Sequence, residues 1–134
     1  MTASVTNLRV ETARIALIRV VEMTDERHAE VRVTLHWEGK EHVGTSTGIP
    51  ADSERPALVA AATLDALTVI DDQFRLVDAT PAWAGGLDVA MVVVEDPETE
   101  RVLVGTALFD NDNRQVAYAK ATLDAVNRSL GQSL

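Results

Sequence analysis

The sequence predicts an α+β fold built from an internally duplicated β-β-β-α unit, and two observations carry that expectation. Val43-Gly44-Thr45 followed by Ala62-Thr63-Leu64-Asp65-Ala66 recurs as Val104-Gly105-Thr106 followed by Ala121-Thr122-Leu123-Asp124-Ala125, shifted by 61 and 59 residues. Each copy is also preceded by short β-rich runs separated by turn residues. A repeat of this length marks a supersecondary unit that cannot bury its apolar face alone and pairs with a second copy.

In chain order, residues 1 to about 8 read as a flexible lead. Val10 to Met23 reads as a first strand on its β-branched content at Ile15, Ile18, Val20 and Val21. Val31, Val33 and Leu35 alternate with Arg32, Thr34 and His36, the period of a half-buried strand. Glu38-Gly39-Lys40 supplies a turn, His42 to Thr47 returns as the hairpin partner, and Gly48-Ile49-Pro50 ends it. Gly48 is expected to need a positive φ or a close backbone approach. Asp52 and Ser53 are N-cap candidates for a helix from about Glu54 to Ile70, with Pro56 tolerated in its first turn. Ala57, Ala60, Ala61, Leu64 and Leu67 form its inward stripe.

The second unit repeats this order. Phe74 to Ala79 is a strand, Pro81 to Gly86 a turn-rich connection, and Leu87 to Val94 a strand whose Val92-Val93-Val94 run predicts a central or doubly buried position. Asp96-Pro97-Glu98-Thr99 is a turn and Arg101 to Phe109 the hairpin partner. Asp112 and Gln115 have capping-box spacing before the last helix. Val116, Ala119, Lys120, Leu123 and Val126 match the first inward stripe, which makes Leu64 and Leu123 equivalent core positions. The expected assembly is one domain over residues 1–134. Repeats of about 12–70 and 74–130 each form a three-stranded antiparallel sheet with a helix, related by a pseudo-twofold axis.

Composition narrows the function. With 46% apolar and 25% charged residues the chain reads as globular, and with 4% aromatics its core must be Val, Leu, Ile and Ala. A formal charge of −9 with scattered basic residues argues against nucleic acid as a partner. The absence of cysteine removes disulfide and thiolate chemistry. No apolar window is long enough to span a bilayer, and no signal-peptide pattern opens the chain, so the expected location is the cytoplasm. No nucleophile elbow, phosphate loop or metal constellation appears, so neither catalysis nor a cofactor is expected.

The order β-β-β-α twice, with a Gly-rich strand end before each helix, resembles the C-terminal regulatory (allosteric and dimerisation) domain of 2-isopropylmalate synthase and its relatives. That family carries G-x-G-x-G-P-x-D-A before an Ala-rich helix. Gly44-Thr45-Ser46-Thr47-Gly48-Ile49-Pro50-Ala51-Asp52 is a loosened form of it, with one residue inserted before the proline. In the second repeat, Asp110-Asn111-Asp112 leads into a helix ending Asp124-Ala125-Val126-Asn127-Arg128. The resemblance spans roughly residues 12 to 130. It implies a stand-alone regulatory-type domain that forms a homodimer and takes a small effector, with a larger enzyme or another protein as its partner.

The residues themselves point to one candidate ligand segment. Gly44 and Gly48 expose backbone N–H groups, Thr45, Ser46 and Thr47 add hydroxyls, and a helix start beside them favours a carboxylate. Asp52, Asp110 and Asp112 are the acids available to the ammonium of an amino acid. The alternative is that the glycines end a strand and the polar residues cap a helix. His36 and His42 flank one turn, and their facing depends on the loop length; two histidines do not complete a zinc site. Trp37 and Trp83 are candidates for an interface or for the core rim. A structural or adaptor subunit that docks on another protein without any small ligand is the competing function.

Overall fold

A computed structural model describes residues 2–12, 15–70, 74–109 and 113–130. The fold is α+β, with two antiparallel sheets and two helices. The first sheet has four strands in the order β1 (Thr2–Thr12), β2 (Ile15–Thr24), β3 (Ala29–Trp37) and β4 (Lys40–Gly48). Helix α1 (Arg55–Ala66) follows, between single 3-10 turns at Asp52–Glu54 and Leu67–Val69. The second sheet is β5 (Arg75–Ala84), β6 (Leu87–Asp96) and β7 (Arg101–Leu108), followed by α2 (Arg114–Leu130).

The segment expected to be a flexible lead is instead strand β1, paired along β2 from Thr2↔Thr24 to Thr12↔Ile15 with one bulge. The first unit therefore has four strands where three were expected, and the stretch read as one strand from Val10 is two. Pro81 likewise lies within β5 rather than in a connection. β5 is an edge strand, where a residue without an N–H removes no ladder hydrogen bond. The turn itself is Gly85-Gly86, both at positive φ, between the paired Ala84 and Leu87.

The alternation in β3 holds on its inner face, where Val31, Val33 and Leu35 are buried. β6 is central, with Ala90, Val92 and Val94 buried and Val93 half-buried on the other side. α1 lies on β3 and β4 and reaches β5; α2 lies on β6 and β7 and reaches β1 and β2; the helices also pack on each other. Each helix is thus covered from more than one side, so its buried positions exceed a single stripe. Leu58, Val59, Ala62, Thr63 and Ala66 join the expected Ala60 and Leu67, whereas Ala57, Ala61 and Leu64 are half-buried. In α2 the expected Val116, Ala119, Leu123 and Val126 are buried with Lys120 half-buried, and Ala117, Tyr118, Ala121 and Ala125 are buried as well.

The repeated residues fasten helix to sheet in the same way twice. A Cβ on Gly44 would lie 2.1 Å from the Ala62 carbonyl oxygen, and one on Gly105 would lie 2.0 Å from that of Ala121. Only glycine lets helix backbone rest on strand backbone here. The neighbouring threonines donate their N–H to the next turn of the same helix: Thr45 to Asp65 Oδ2 at 2.9 Å, Thr106 to Asp124 Oδ2 at 3.0 Å. Buried Thr63 and Thr122 each satisfy their hydroxyl on the carbonyl four residues back, Val59 and Tyr118. The correspondence stops short of the whole unit, since β1 has no counterpart before β5.

Candidate functional site

Gly44 to Gly48 belong to β4 and pair with β3 throughout, so they do not form a loop. Gly44 faces α1, and Ser46 Oγ donates to the Leu58 carbonyl at 2.5 Å. Thr45 and Thr47 are exposed on the opposite side of the strand, across from Arg32 and Glu30. Gly48 has no positive φ; a Cβ there would meet the end of the Leu58 side chain at 2.9 Å. Its role is space for Leu58. Asp52 makes no capping hydrogen bond, and neither does Glu54, which occupies the N-cap of α1. Asp110 and Asp112 lie outside the described residues. The cap of α2 is formed by Asn113, whose Oδ1 accepts the Gln115 N–H at 2.9 Å, while its Nδ2 donates to Thr6 Oγ1 in β1.

Of the expected site residues that the structure describes, Asp52 lines a cleft. This cleft of about 710 Å³ lies where three elements meet. The start of α1 contributes Asp52, Ser53 and Pro56; β5 contributes Ala79, Thr80 and Pro81; the first turns of α2 contribute Arg114, Gln115 and Tyr118. It therefore sits between the first unit and the second, and its wall is part polar and part apolar, the mixture that orients a small ligand.

Arg114 is the cation of this cleft. Its guanidinium carbon lies 3.8 Å from the centroid of the Phe109 ring, and Phe109 meets Tyr118 edge-to-face with centroids 5.6 Å apart. Stacking on the ring fixes the guanidinium plane and leaves its N–H edges for a planar acceptor. Among the described residues Arg114 makes no ion pair. Gln115 Oε1 is buried without a hydrogen-bond partner and is an acceptor in want of a donor. Burial raises the Tyr118 pKa, opposed by Arg114, so the phenol stays a neutral donor. Asp52 contributes an exposed carboxylate on the far wall, with Oδ1 4.0 Å from Arg55 Nε.

These groups suit a ligand that carries a carboxylate at one end and a donor such as an ammonium at the other. Sequence reading missed Arg114, Tyr118, Thr80 and Pro81. The available signal was that Arg114 follows Arg55 by 59 residues, the offset of the Ala-Thr-Leu-Asp-Ala run.

His36 and His42 do not meet. The two-residue turn pairs His36 with Glu41 and Leu35 with His42, which puts the imidazoles on opposite faces of the sheet. Among the described residues no three His, Cys, Asp or Glu side chains are grouped to hold a metal, and no helix is long and apolar enough to cross a membrane. Trp37 is half-buried against the core, with its ring 6.3 Å from that of His42, while Trp83 is 74% exposed at the end of β5. No protein-family model matches this chain, and no curated protein does either.

Proposed function

We propose that this chain is a non-catalytic regulatory-type module that acts as a homodimer in the cytoplasm and binds a small carboxylate metabolite, such as an amino acid, in the cleft between its units. The observation that carries the reading is Arg114, which among the described residues makes no ion pair, stacked on Phe109 and lining a cleft with Asp52 and Gln115, whose Oε1 is buried without a hydrogen-bond partner. An amino acid fits these groups with its carboxylate on Arg114 and its ammonium towards Gln115 and Asp52. The resemblance to the regulatory domain of 2-isopropylmalate synthase supports the same reading and a larger enzyme as the partner that it serves.

A thermal-unfolding screen against amino acids and 2-keto acids tests it. A ligand at a hundred times its dissociation constant adds about 2.7 kcal/mol of stability, and Arg114→Ala should remove that gain. A screen in which no carboxylate stabilises the protein would leave the adaptor reading in its place. One observation favours that reading: the outer face of the second sheet exposes Val102 and Leu108, each about 60%.

A further inference from the structure

Trp83 is 74% exposed, the most exposed of the large apolar side chains among the described residues. Its place in β5 puts it beside the cleft. Ala79, Pro81 and Trp83 pair with Val92, Ala90 and Asp88. Val92 and Ala90 are buried where α2 lies on β6, so all three β5 residues belong to the face that meets the helices. Ala79 and Pro81 line the cleft. Trp83 is the next side chain along that face, about 6.7 Å beyond Pro81 at the backbone.

The same register fixes what lies across the sheet from it. Leu108 pairs with Val89, so the following residue, Phe109, comes level with Asp88 and Trp83. Trp83 and Phe109 thus end one row, two strand spacings or about 9.6 Å apart at the backbone. The exposed Asp88 stands between them. Arg114 stacks on Phe109, which sets a guanidinium at one end of the row and an indole at the other. The cleft beside this row has flat apolar walls, the rings of Pro56, Pro81 and Tyr118.

We infer that the carboxylate ligand of this cleft carries an aromatic ring, which packs on Trp83 and Pro81 while the carboxylate lies at the Arg114 end. This rests on the carboxylate-binding reading above and assigns the ligand's side chain together with the residue that selects it. The faces of an indole and of a proline ring match a planar group, and an aromatic pair gains energy beyond the area that it buries. A phenyl ring joined to a carboxylate by two or three carbons spans the row, whereas a short aliphatic acid held at Arg114 stops before Trp83. Asp88 repels a carboxylate from the middle of the row, which fixes the direction in which the ligand lies.

The test is an NMR titration with 3-phenylpropionate, butyrate and 2-phenylethylamine, read at the backbone N–H signals of Arg114 and Gln115 and at the indole N–H signals of the two tryptophans. Trp83→Ala identifies the Trp83 indole signal and, at so exposed a position, leaves the fold intact. Wild type should bind 3-phenylpropionate about tenfold more tightly than either other probe. The Trp83 indole signal should move with it and the Trp37 signal should not. Trp83→Ala should bind 3-phenylpropionate at least about fivefold more weakly and butyrate within about twofold of wild type. Trp83→Phe, which keeps a ring, should stay within about threefold for both. If wild type binds butyrate and 3-phenylpropionate equally, or Trp83→Ala loses no affinity for 3-phenylpropionate, the inference falls and the carboxylate site stands. If 2-phenylethylamine binds as tightly as 3-phenylpropionate, the carboxylate reading falls and the inference with it. If none of the three binds, both fall as well.

Discussion

Asp65 reaches from α1 to the outer edge of β4 and accepts the Thr45 N–H at 2.9 Å. β4 ends its sheet, so this N–H points away from β3 and has no strand to meet. The carboxylate both anchors the helix and blunts an edge that would otherwise template pairing with another chain. Asp124 does the same for Thr106 on β7, the matching edge of the second sheet. Asp65→Ala and Asp124→Ala should each cost about 1–2 kcal/mol, the lower part of the range for charged hydrogen bonds, because solvent reaches both pairs. Asp65→Asn retains an acceptor and should cost less than Asp65→Ala. Urea melts measure all three, and an Asp65→Ala protein as stable as wild type would remove the anchoring role.

Gly44→Ala and Gly105→Ala should be the most damaging single-methyl changes in the chain. The added carbon would meet helix backbone at 2.1 and 2.0 Å, and neither a carbonyl oxygen nor an amide can turn aside. A loss of about 3 kcal/mol or more is expected for each, at or above the upper end of ordinary overpacking. Gly48→Ala meets the flexible end of Leu58 and should cost under about 1.5 kcal/mol. The order of the three melting temperatures is the check; a Gly48 variant as unstable as the Gly44 variant would contradict it.

The parts of this fold that were legible in the sequence are those in which one element faces one neighbour. β3 alternates because one face meets a helix and the other is largely polar. β1 was not legible, because its described inward residues are polar: Ser4 pairs beside Glu22, and Thr6 receives the Asn113 amide, so no apolar alternation marks it. The helix stripes were misplaced because each helix touches both sheets. The cleft joins residues near 52, 80 and 114, a proximity that the pairing of units creates and local spacing does not encode. Repeat reasoning also overstated the equivalence of Leu64 and Leu123. Leu123 is 1% exposed and Leu64 half-buried. Leu123→Ala should cost about 3–5 kcal/mol, and Leu64→Ala less than about 2 kcal/mol. Equal losses in denaturant melts would restore the equivalence.

Glu22 gives a signed pH dependence. Burial raises its pKa above the ordinary value, and the Arg55 charge opposes this only in part. A carboxyl with a raised folded pKa contributes stability that is fully present below its unfolded pKa and lost as pH rises through the folded one. Relative to Glu22→Gln, the wild type should therefore lose stability between about pH 4 and neutrality. Asp25, whose carboxylate accepts the Arg27 and His28 N–H groups, has its pKa lowered and works in the opposite sense. It is present in both proteins and cancels in the difference. Urea melts of the pair at pH 4 and pH 7 read the effect; a constant difference would show that Arg55 cancels burial, and one that grows towards acid in favour of the variant would show that Arg55 outweighs it.

The outer faces of the two sheets differ, and the proposed homodimer is expected to form through the second. On the first sheet Arg19 lies 3.9 Å from Glu41 and Arg32 3.3 Å from Glu30, so that face carries paired charges. On the second, the rows Ala82–Val89–Leu108 and Asp78–Val93–Val104 run across all three strands on either side of Thr80–Met91–Thr106, and the Arg75–Glu95 ion pair lies at one end. The exposed aliphatic side chains of these rows are the part of the face that a partner would cover. A twofold pairing of this face with its copy would cover them. Light scattering at micromolar concentration should then return about twice the 14.5 kDa chain mass. Val104→Lys and Leu108→Lys, both at exposed positions, should give monomers with an unchanged circular dichroism spectrum. A monomer mass for the wild type across a tenfold dilution would end the dimer reading. Dimers that survive both lysines would move the interface off this sheet.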